Sequence, residues 1–247
     1  MENENLIIGR NAVREALNSG RAIDYVVVAR GERKGAISPL VAQCREMGII
    51  VKEADEKKLD YLSNHGNHQG IVMFAAAHEY AELDDIFALA KQKNEQPFII
   101  ICDGLEDPHN LGSILRSAEC AGAHGVIIPE RRSVTLSGTV GKASAGALEY
   151  VPVVRAHNIV TAMKQLKDRG VWIFGADMDG ECYDTAPLTG SIALVIGSEG
   201  NGISRLVKEN CDGIVSIPMN GKINSLNAGV AAGILMYEVE RRRRNDG

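Results

Sequence analysis

The sequence predicts an α/β protein made of a small first domain and a larger second domain with a mainly parallel sheet. β-Branched apolar runs alternate with helix-like segments along all 247 residues, which is typical of strands joined by helices. An acidic segment at residues 77–97 interrupts this pattern. The pattern then restarts with the apolar run FIIICD at residues 98–103, as expected for a strand buried on both faces.

Helices and strands alternate in the first part of the chain. The last of its helices has Asp55 as a suitable N-cap. Residues 1–76 therefore form the expected first domain, and residues 77–97 form a linker with a connecting helix closed by Pro97. The expected helices are residues 11–18, 39–47 and 55–62, and the expected strands are residues 23–29, 49–51 and 70–76.

Residues 98–247 form the expected second domain. Its apolar runs predict strands at residues 98–103, 125–128, 171–175, 192–196 and 214–217. Helices are expected at residues 114–120 and from about Ser225 to Arg243. The basic run at residues 241–244 is expected to be a solvated helix end, favourably placed against the helix dipole.

The charge and the aromatic content restrict how the chain could bind nucleic acid. The net charge is −5, whereas nucleic-acid-binding proteins usually carry a basic excess. Residues 1–78 carry ten basic and ten acidic residues, so any contact with RNA must come from local basic patches. Aromatic residues make up 4% of the chain, which argues against a surface that stacks many bases.

Cysteine usage and hydropathy argue against secreted, zinc-binding and membrane proteins. The five cysteines are scattered and form no CxxC pair, so a reducing cytoplasm is expected rather than a disulfide framework. The N-terminal MENENLIIGR lacks a signal-peptide core, and no apolar run approaches the roughly 20 residues of a membrane span. His65, His68 and His109 lack metal-ligand spacing and are expected to be structural or solvent-facing, so no metal is expected.

The first chemical cluster is DGLEDPHNLGSILRSAECAG at residues 103–122, directly after a buried strand. Ligands of open α/β sheets bind at the carboxyl ends of strands. Asn110, in the irregular DPHN segment, and Arg116, six residues later in a helix, can therefore address one site. The competing interpretation is that Asp107 or Asn110 caps the helix and that Arg116 is a solvated surface charge.

The second cluster is ALVIGSEGNGIS at residues 193–204, where an apolar strand enters a glycine-rich turn. Its glycine order, G-x-x-G-x-G, matches neither the dinucleotide fingerprint nor the phosphate-binding loop. Glu199 within the turn would repel a pyrophosphate and suits a ligand with a cation or a hydroxyl or amine donor. A tight structural turn would also explain the glycines.

The third cluster is IPMNGKINSLNAGVAAGILMYE at residues 217–238, which joins a strand end to a helix of small residues. Asn224 or Ser225 is expected to cap this helix. The string AGVAAG allows another backbone to approach closely. It therefore suits either tight internal packing or a subunit interface.

The strings DPHNLGSILRSAE, IGSEGNGIS and IPMNGKINSLNAGVAAGI together resemble the three signature motifs of the SpoU/TrmH group of SPOUT RNA methyltransferases. The string NHQGIV at residues 67–72 resembles the end of the L30e-like N-terminal domain of RlmB-like members. The resemblance covers nearly the whole chain. It implies a second domain with a deep trefoil knot, a feature otherwise nearly absent from proteins, and a first domain that binds the RNA substrate.

The resemblance also implies the cofactor and the assembly. S-adenosylmethionine should bind in the knot, lined by Gly197, Ile217 and Leu226, with Ser225 and the strand end at residues 175–176 nearby. The small-residue helix should contribute to the interface of a homodimer.

The activity that the resemblance implies is methyl transfer to a ribose 2′-hydroxyl, on a guanosine of 23S ribosomal RNA. The implied catalytic residues are Arg116, Asn110 and Glu199. Because guanidinium stays protonated, we expect Arg116 to stabilise the developing alkoxide and to hold the adjacent phosphate. Asn110 would orient Arg116 or the ribose, and Glu199 would pair with Arg116 or organise the loop.

Local basic patches supply the candidate RNA contacts, although each residue is equally consistent with a solvated surface. The candidates are Arg10, Arg14, Arg30, Arg33 and Lys34 in the first domain and Arg131, Arg132 and Lys142 in the second. Three alternatives stay open: the same reaction on transfer RNA, a non-catalytic RNA-binding protein, and a nucleotide-dependent metabolic enzyme of the Rossmann type.

Overall fold

The computed structural model describes residues 5–19, 22–31, 37–76, 78–223 and 225–246. The chain forms two compact units, Met1–Glu79 and Tyr80–Gly247. Within the described ranges, no helix combines the length and apolar character that a membrane crossing requires.

The first unit contains a four-stranded mixed sheet in the order β1-β4-β2-β3. Strand β4 pairs antiparallel with β1 and β2, and β2 pairs parallel with β3. The predicted elements are present with shifted ends, and β1 is an additional strand. The elements are β1 (Leu6–Ile8), α1 (Arg10–Asn18), β2 (Ile23–Ala29), α2 (Ile37–Glu46), β3 (Ile50–Ala54), α3 (Glu56–Leu62) and β4 (Ile71–Ala75).

Strand alternation gives this sheet two apolar faces. Helices α1 and α2 cover one face, where Val13 and Leu40 belong to the same core as Val26 and Met73. The short helix α3 covers part of the other face through Leu59. The predicted cap of α3 is confirmed, because the carboxylate of its N-cap residue accepts a hydrogen bond from the Lys58 amide at 2.8 Å.

The second unit contains a six-stranded sheet in the order β10-β8-β9-β5-β6-β7. All five of its strand pairings are parallel, so the predicted parallel sheet is confirmed. Its elements are α4 (Leu83–Lys93), β5 (Phe98–Asp103), α5 (Pro108–Cys120), β6 (Gly125–Pro129), α6 (Gly138–Ala143), β7 (Val153–Ala156), α7 (Ile159–Asp168), β8 (Trp172–Cys182), β9 (Ile192–Gly197), α8 (Arg205–Glu209), β10 (Gly213–Ser216) and α9 (Ala228–Asp246).

Two predicted helix starts were wrong. Helix α5 begins at Pro108 rather than near residue 114, because proline suits the first turn of a helix and Asp107 accepts a hydrogen bond from the His109 amide. Asn110 therefore lies in a helix and not in a loop. Helix α9 begins at Ala228, and Asn227 caps it instead of Ser225, while Asn224 lies outside the described residues.

The segment predicted as a linker, residues 77–97, is largely part of the second unit. Its connecting helix is α4, and Ile86 from this helix is fully buried in the core of the second unit. Ala81 forms a parallel bridge with Val154 on β7. The compact units accordingly divide at Glu79 and Tyr80.

The basic end of α9 is anchored, contrary to the prediction of a solvated helix end. Arg241 and Arg242 both donate to the buried carboxylate of Glu238. Arg243 donates to three backbone carbonyl groups, those of Gln96, Pro97 and Gly190. These contacts fasten α9 to the amino ends of β5 and β9.

Candidate active site

The three motif clusters meet at the carboxyl edge of the parallel sheet. Asp103 at the end of β5 pairs in register with Gly197 at the end of the neighbouring strand β9. Ile217 directly follows β10, two strands further along. Parallel strands end at the same sheet edge, so residues more than 100 positions apart share one site.

The turn after β9 folds tightly back on itself. The Ser198 and Gly202 amides each donate to the other residue's carbonyl oxygen, at 3.0 and 2.9 Å. A Cβ atom on Gly197 would fall far inside van der Waals contact with the backbone of Gly202. Gly200 and Gly202 have positive φ angles of 88° and 63°, which glycine adopts without strain. This backbone presents Glu199 at an exposed position.

Two carboxylates stabilise the chain around this turn through a hydrogen bond and an ion pair. Asp103 Oδ2 accepts a hydrogen bond from the Ser204 amide at 2.7 Å. Asp177 on β8 forms an ion pair with Lys208 of α8 at 3.0 Å. Burial opposes ionisation of Asp177, but Lys208 and backbone N–H donors outweigh it and hold the pKa of Asp177 below its usual range.

Asn227 connects the three motif clusters. Its Nδ2 atom donates to Asn110 Oδ1 at 2.8 Å and to Glu199 Oε1 at 2.7 Å. Its Oδ1 atom accepts hydrogen bonds from the Gly229 and Val230 amides and so caps α9. Sequence reasoning missed this residue, although its place immediately before the small-residue helix marked it as a possible cap.

Arg116 lies on α5, six residues after Asn110, and its side chain is exposed. Within the part of the chain that the structure describes, it has no hydrogen bond or ion pair. The expected orienting contact from Asn110 and the pairing with Glu199 are therefore not formed here, because Asn227 binds both of those side chains. The guanidinium of Arg116 keeps its donors available for a ligand.

The proposed cofactor residues lie around the same edge. Ile217 is half-buried, and Ser225 and Leu226 are exposed in the irregular segment before Asn227. An apolar side chain that stays partly exposed beside a polar turn suits an adenosine group, whose ring would cover it. Among the described residues, no group of three or more His, Cys, Asp and Glu side chains could hold a metal ion.

The basic candidates for RNA contacts occupy different environments. Arg10 is partly buried, and its Nε atom donates to the Gln69 carbonyl group at 3.0 Å, which gives it a structural role. The other described candidates, Arg14, Arg30, Arg131, Arg132 and Lys142, are exposed. Arg33 and Lys34 lie outside the described residues.

Helix α6, which carries Lys142, packs closely against α5. A Cβ atom on Gly112 would collide with Ala143, so no side chain separates the two helices at this point. The basic side chain of Lys142 therefore lies on an element that adjoins the helix of Asn110 and Arg116.

Two family models cover most of the chain. Residues 97–237 match the model of the SpoU rRNA Methylase family, and residues 6–81 match a model described as RNA 2′-O ribose methyltransferase substrate binding. The chain belongs to the SpoU family of RNA methyltransferases. The family expected from the three motif strings is thereby confirmed.

TrmH-family relatives match almost the full chain. YacO of Bacillus subtilis, assigned to the TrmH family of tRNA/rRNA methyltransferases, is 49% identical over 239 residues, covering 96% of this chain and 95% of YacO. A relative from Staphylococcus aureus strain MSSA476 with the same family assignment is 46% identical over 245 residues, covering 99% and 98% of the two chains.

Solved methyltransferase structures are similar in fold. AviRb from Streptomyces viridochromogenes, in complex with AdoMet, is 26% identical with a TM-score of 0.62, covering 97% of this chain and 90% of AviRb. An AdoMet-bound rRNA methyltransferase from Sinorhizobium meliloti is 25% identical with a TM-score of 0.59, covering 96% and 87% of the two chains.

Proposed function

We propose that this SpoU-family methyltransferase transfers a methyl group from S-adenosylmethionine to a ribose 2′-hydroxyl in RNA, with a guanosine of 23S ribosomal RNA as its target. The observation that carries the proposal is the hydrogen-bonded set of Asn110, Asn227 and Glu199. This set lies at the sheet edge where the glycine turn and the residue after β10 also gather. The enzyme would work in the cytoplasm, where ribosomal RNA is modified.

The expected cofactor residues suit S-adenosylmethionine, which two structural relatives contain. Gly197, Ile217, Ser225 and Leu226 would hold it through backbone groups and apolar contact. Bound there, it supplies an electrophilic methyl group on sulfur. The trefoil knot expected in this unit is part of the proposal.

Arg116 would act on the substrate oxygen. Its permanently charged guanidinium favours the negative charge that develops on the 2′-oxygen as the hydroxyl proton leaves, and its fork geometry suits the adjacent phosphate. Asn110 and Glu199, both held by Asn227, would keep α5 and the glycine turn in fixed positions around the ribose. Positioning of this kind lowers a barrier by several kcal/mol, and the best-oriented groups reach about 7–11 kcal/mol.

Helix α9 supports the proposed homodimer. Val230 and Tyr237 are 51% and 50% exposed, and a spacing of seven residues places them on one face of the helix. A Cβ atom on Gly229 would lie 2.9 Å from Ser113 Oγ on α5. Small residues thus bring α9 close to the helix of Arg116, while the apolar face stays available to a second copy.

The decisive experiment compares RNA from cells with and without the protein. Mass mapping of 23S ribosomal RNA should show the loss of one 2′-O-methylguanosine, and the purified protein with S-adenosylmethionine should restore it. Loss of a methyl group from transfer RNA instead would correct the substrate. Calorimetry without binding of S-adenosylmethionine would contradict the enzymatic proposal and favour an RNA-binding protein.

The first unit would bind substrate RNA as an L30e-like domain, and exposed basic residues of both units would contact its phosphates. Charge reversal at exposed candidates such as Arg14, Arg30, Arg131 or Lys142 should reduce the dependence of RNA affinity on salt, by about 0.7–0.9 in logarithmic slope for each lost phosphate contact. An unchanged slope would remove that residue from the RNA-binding surface.

A further inference from the structure

In the part of the chain that the structure describes, one face of the sheet in the first unit is incompletely covered. Helix α3 has seven residues and packs over Val27 and Val72 through Leu59. The remaining part of this face carries Leu6, Tyr25, Phe74 and Lys52, which we call the aromatic face. Tyr25 and Phe74 are only half-buried there.

The two rings of the aromatic face form a stacked pair. Tyr25 and Phe74 are register partners on the antiparallel strands β2 and β4. Their ring centroids lie 4.5 Å apart with an interplanar angle of 20°. Lys52 Nζ lies 3.9 Å from the centroid of the Tyr25 ring. Strands β4 and β3 flank β2, so the Tyr25 ring lies between Phe74 on one side and the exposed cation of Lys52 on the other.

The charge on this face is positive. Lys52 pairs in register with Val27 and is exposed, whereas the next residue, Glu53, points to the opposite face because side chains alternate along a strand. Asp24 precedes Tyr25 and is 3% exposed. Among the described strand residues of the aromatic face, Lys52 is thus the charged group that a ligand would meet.

We propose that the aromatic face binds an unpaired nucleotide of RNA: Lys52 Nζ moves from the Tyr25 ring to a neighbouring phosphate, and the base takes its place on the Tyr25–Phe74 pair. Aromatic stacking and a cation together are the means by which proteins hold single-stranded nucleic acid. The matching model for residues 6–81, described as substrate binding, favours RNA as the occupant over a protein. This inference rests on the proposed function, since it requires an RNA substrate.

The test measures binding of the full chain to a single-stranded RNA of about twelve nucleotides that contains 2-aminopurine, with a duplex of the same sequence for comparison. Stacking should quench the fluorescence of the probe, and the duplex should bind more weakly. Tyr25→Leu and Phe74→Leu should each weaken binding about ten-fold, the effect of losing one stacked base. Tyr25→Phe keeps the ring and should bind normally.

The chain offers a matched control and a surface variant. Tyr61 is 74% exposed, and Lys58 Nζ lies 5.1 Å from its ring centroid, but Tyr61 belongs to no stacked ring pair among the described residues. Tyr61→Leu should therefore leave binding unchanged. Lys52→Gln changes an exposed residue without disturbing the core, and it should weaken binding and lower the salt dependence by about one phosphate contact.

Several results would overturn the inference. One is normal binding of the RNA probe by Tyr25→Leu and Lys52→Gln. Another is a loss of binding in Tyr61→Leu as large as that in Tyr25→Leu. A third is self-association of the original chain that Tyr25→Leu abolishes. If the leucine substitutions unfold the chain, normal binding by Lys52→Gln with an unchanged salt slope overturns it. If the chain binds the probe normally but transfers no methyl group, the proposed function is contradicted instead. If Tyr25→Leu has an unchanged KM for ribosomal RNA, only the role of the aromatic face in RNA binding is contradicted.

Discussion

Asn227 and Glu199 share a hydrogen bond of 2.7 Å between Nδ2 and Oε1, although 28 residues separate them in the chain. The same nitrogen lies 2.8 Å from Asn110 Oδ1, which is 117 residues away. One amide group thereby connects the start of α5, the turn after β9 and the start of α9.

Replacement of Asn227 by aspartate tests its bridging role. Asn227→Asp keeps the oxygen that caps α9 but replaces the donor to Asn110 and Glu199 by a second acceptor. We expect the rate of methyl transfer to fall at least ten-fold, with a smaller loss of stability than in Asn227→Ala, which also removes a cap worth about 1 kcal/mol. Single-turnover kinetics and thermal unfolding measure the two effects. A normal rate in Asn227→Asp would show that the bridge is not needed.

Replacement of Arg116 by lysine separates charge from geometry. Lysine keeps the positive charge but loses the planar fork, so we expect kcat to fall on the order of ten- to one hundred-fold, or about 1.4–2.7 kcal/mol. Binding of S-adenosylmethionine and thermal stability should not change, because Arg116 is exposed. Methylation at the original rate would exclude bidentate recognition by Arg116.

Removal of the Asp103 carboxylate tests how the glycine turn is held. Its hydrogen bond from the Ser204 amide is 2.7 Å long, and bonds to charged acceptors contribute about 1.5–3 kcal/mol. We expect Asp103→Ala to weaken binding of S-adenosylmethionine about ten-fold or more in calorimetry, with a smaller effect in Asp103→Asn. Asp168→Ala, at an exposed position at the end of α7, serves as the control. Equal affinities in Asp103→Ala and Asp168→Ala would contradict this role.

The close packing of α5 and α6 predicts different effects at two glycines. A Cβ atom on Gly112 would collide with Ala143, whereas a Cβ atom on Gly138 meets no atom within 4 Å. Gly112→Ala should lower the free energy of unfolding by about 1–3 kcal/mol through overpacking. Gly138→Ala should be neutral or slightly stabilising. Denaturant titration of both variants checks this, and equal stabilities would show that the helices can separate at no cost.

The buried imidazole of His124 predicts a stability change with pH. Burial lowers the pKa of His124, and Glu95 opposes this effect only in part. The neutral Nδ1 atom accepts a hydrogen bond from the Phe98 amide at 3.0 Å. The unfolded chain therefore binds a proton more readily than the folded chain, and stability should fall as the pH drops below about 6.5, the usual histidine value.

A variant of His124 isolates this contribution. His124→Gln should show a flatter fall in melting temperature between about pH 7 and pH 5 than the original chain, because the titrating ring is gone. If His124→Gln and the original chain have parallel pH profiles, the buried ring does not govern this dependence.

The sequence alone determined the class of fold and the family. Apolar runs such as FIIICD and their alternation with helices are local features, since strand and helix periodicity can be read within a few residues. The three motif strings identified the methyltransferase family for the same reason. Helix starts were less certain, because Pro108 and Asp107 extend α5 through a segment that the residue types suggested was irregular.

Only the tertiary structure decided which residues meet. Strand β9 lies between β5 and β8, and this order brings Asp103 to Ser204 and Asn227 to both Asn110 and Glu199. Nothing in local periodicity specifies the order of parallel strands, which depends on how the helices pack on both faces of the sheet. The stacking of Tyr25 on Phe74 likewise follows from the antiparallel register of β2 and β4. Side chains far apart in sequence become neighbours through pairing and packing of the whole unit, and no single segment encodes those contacts.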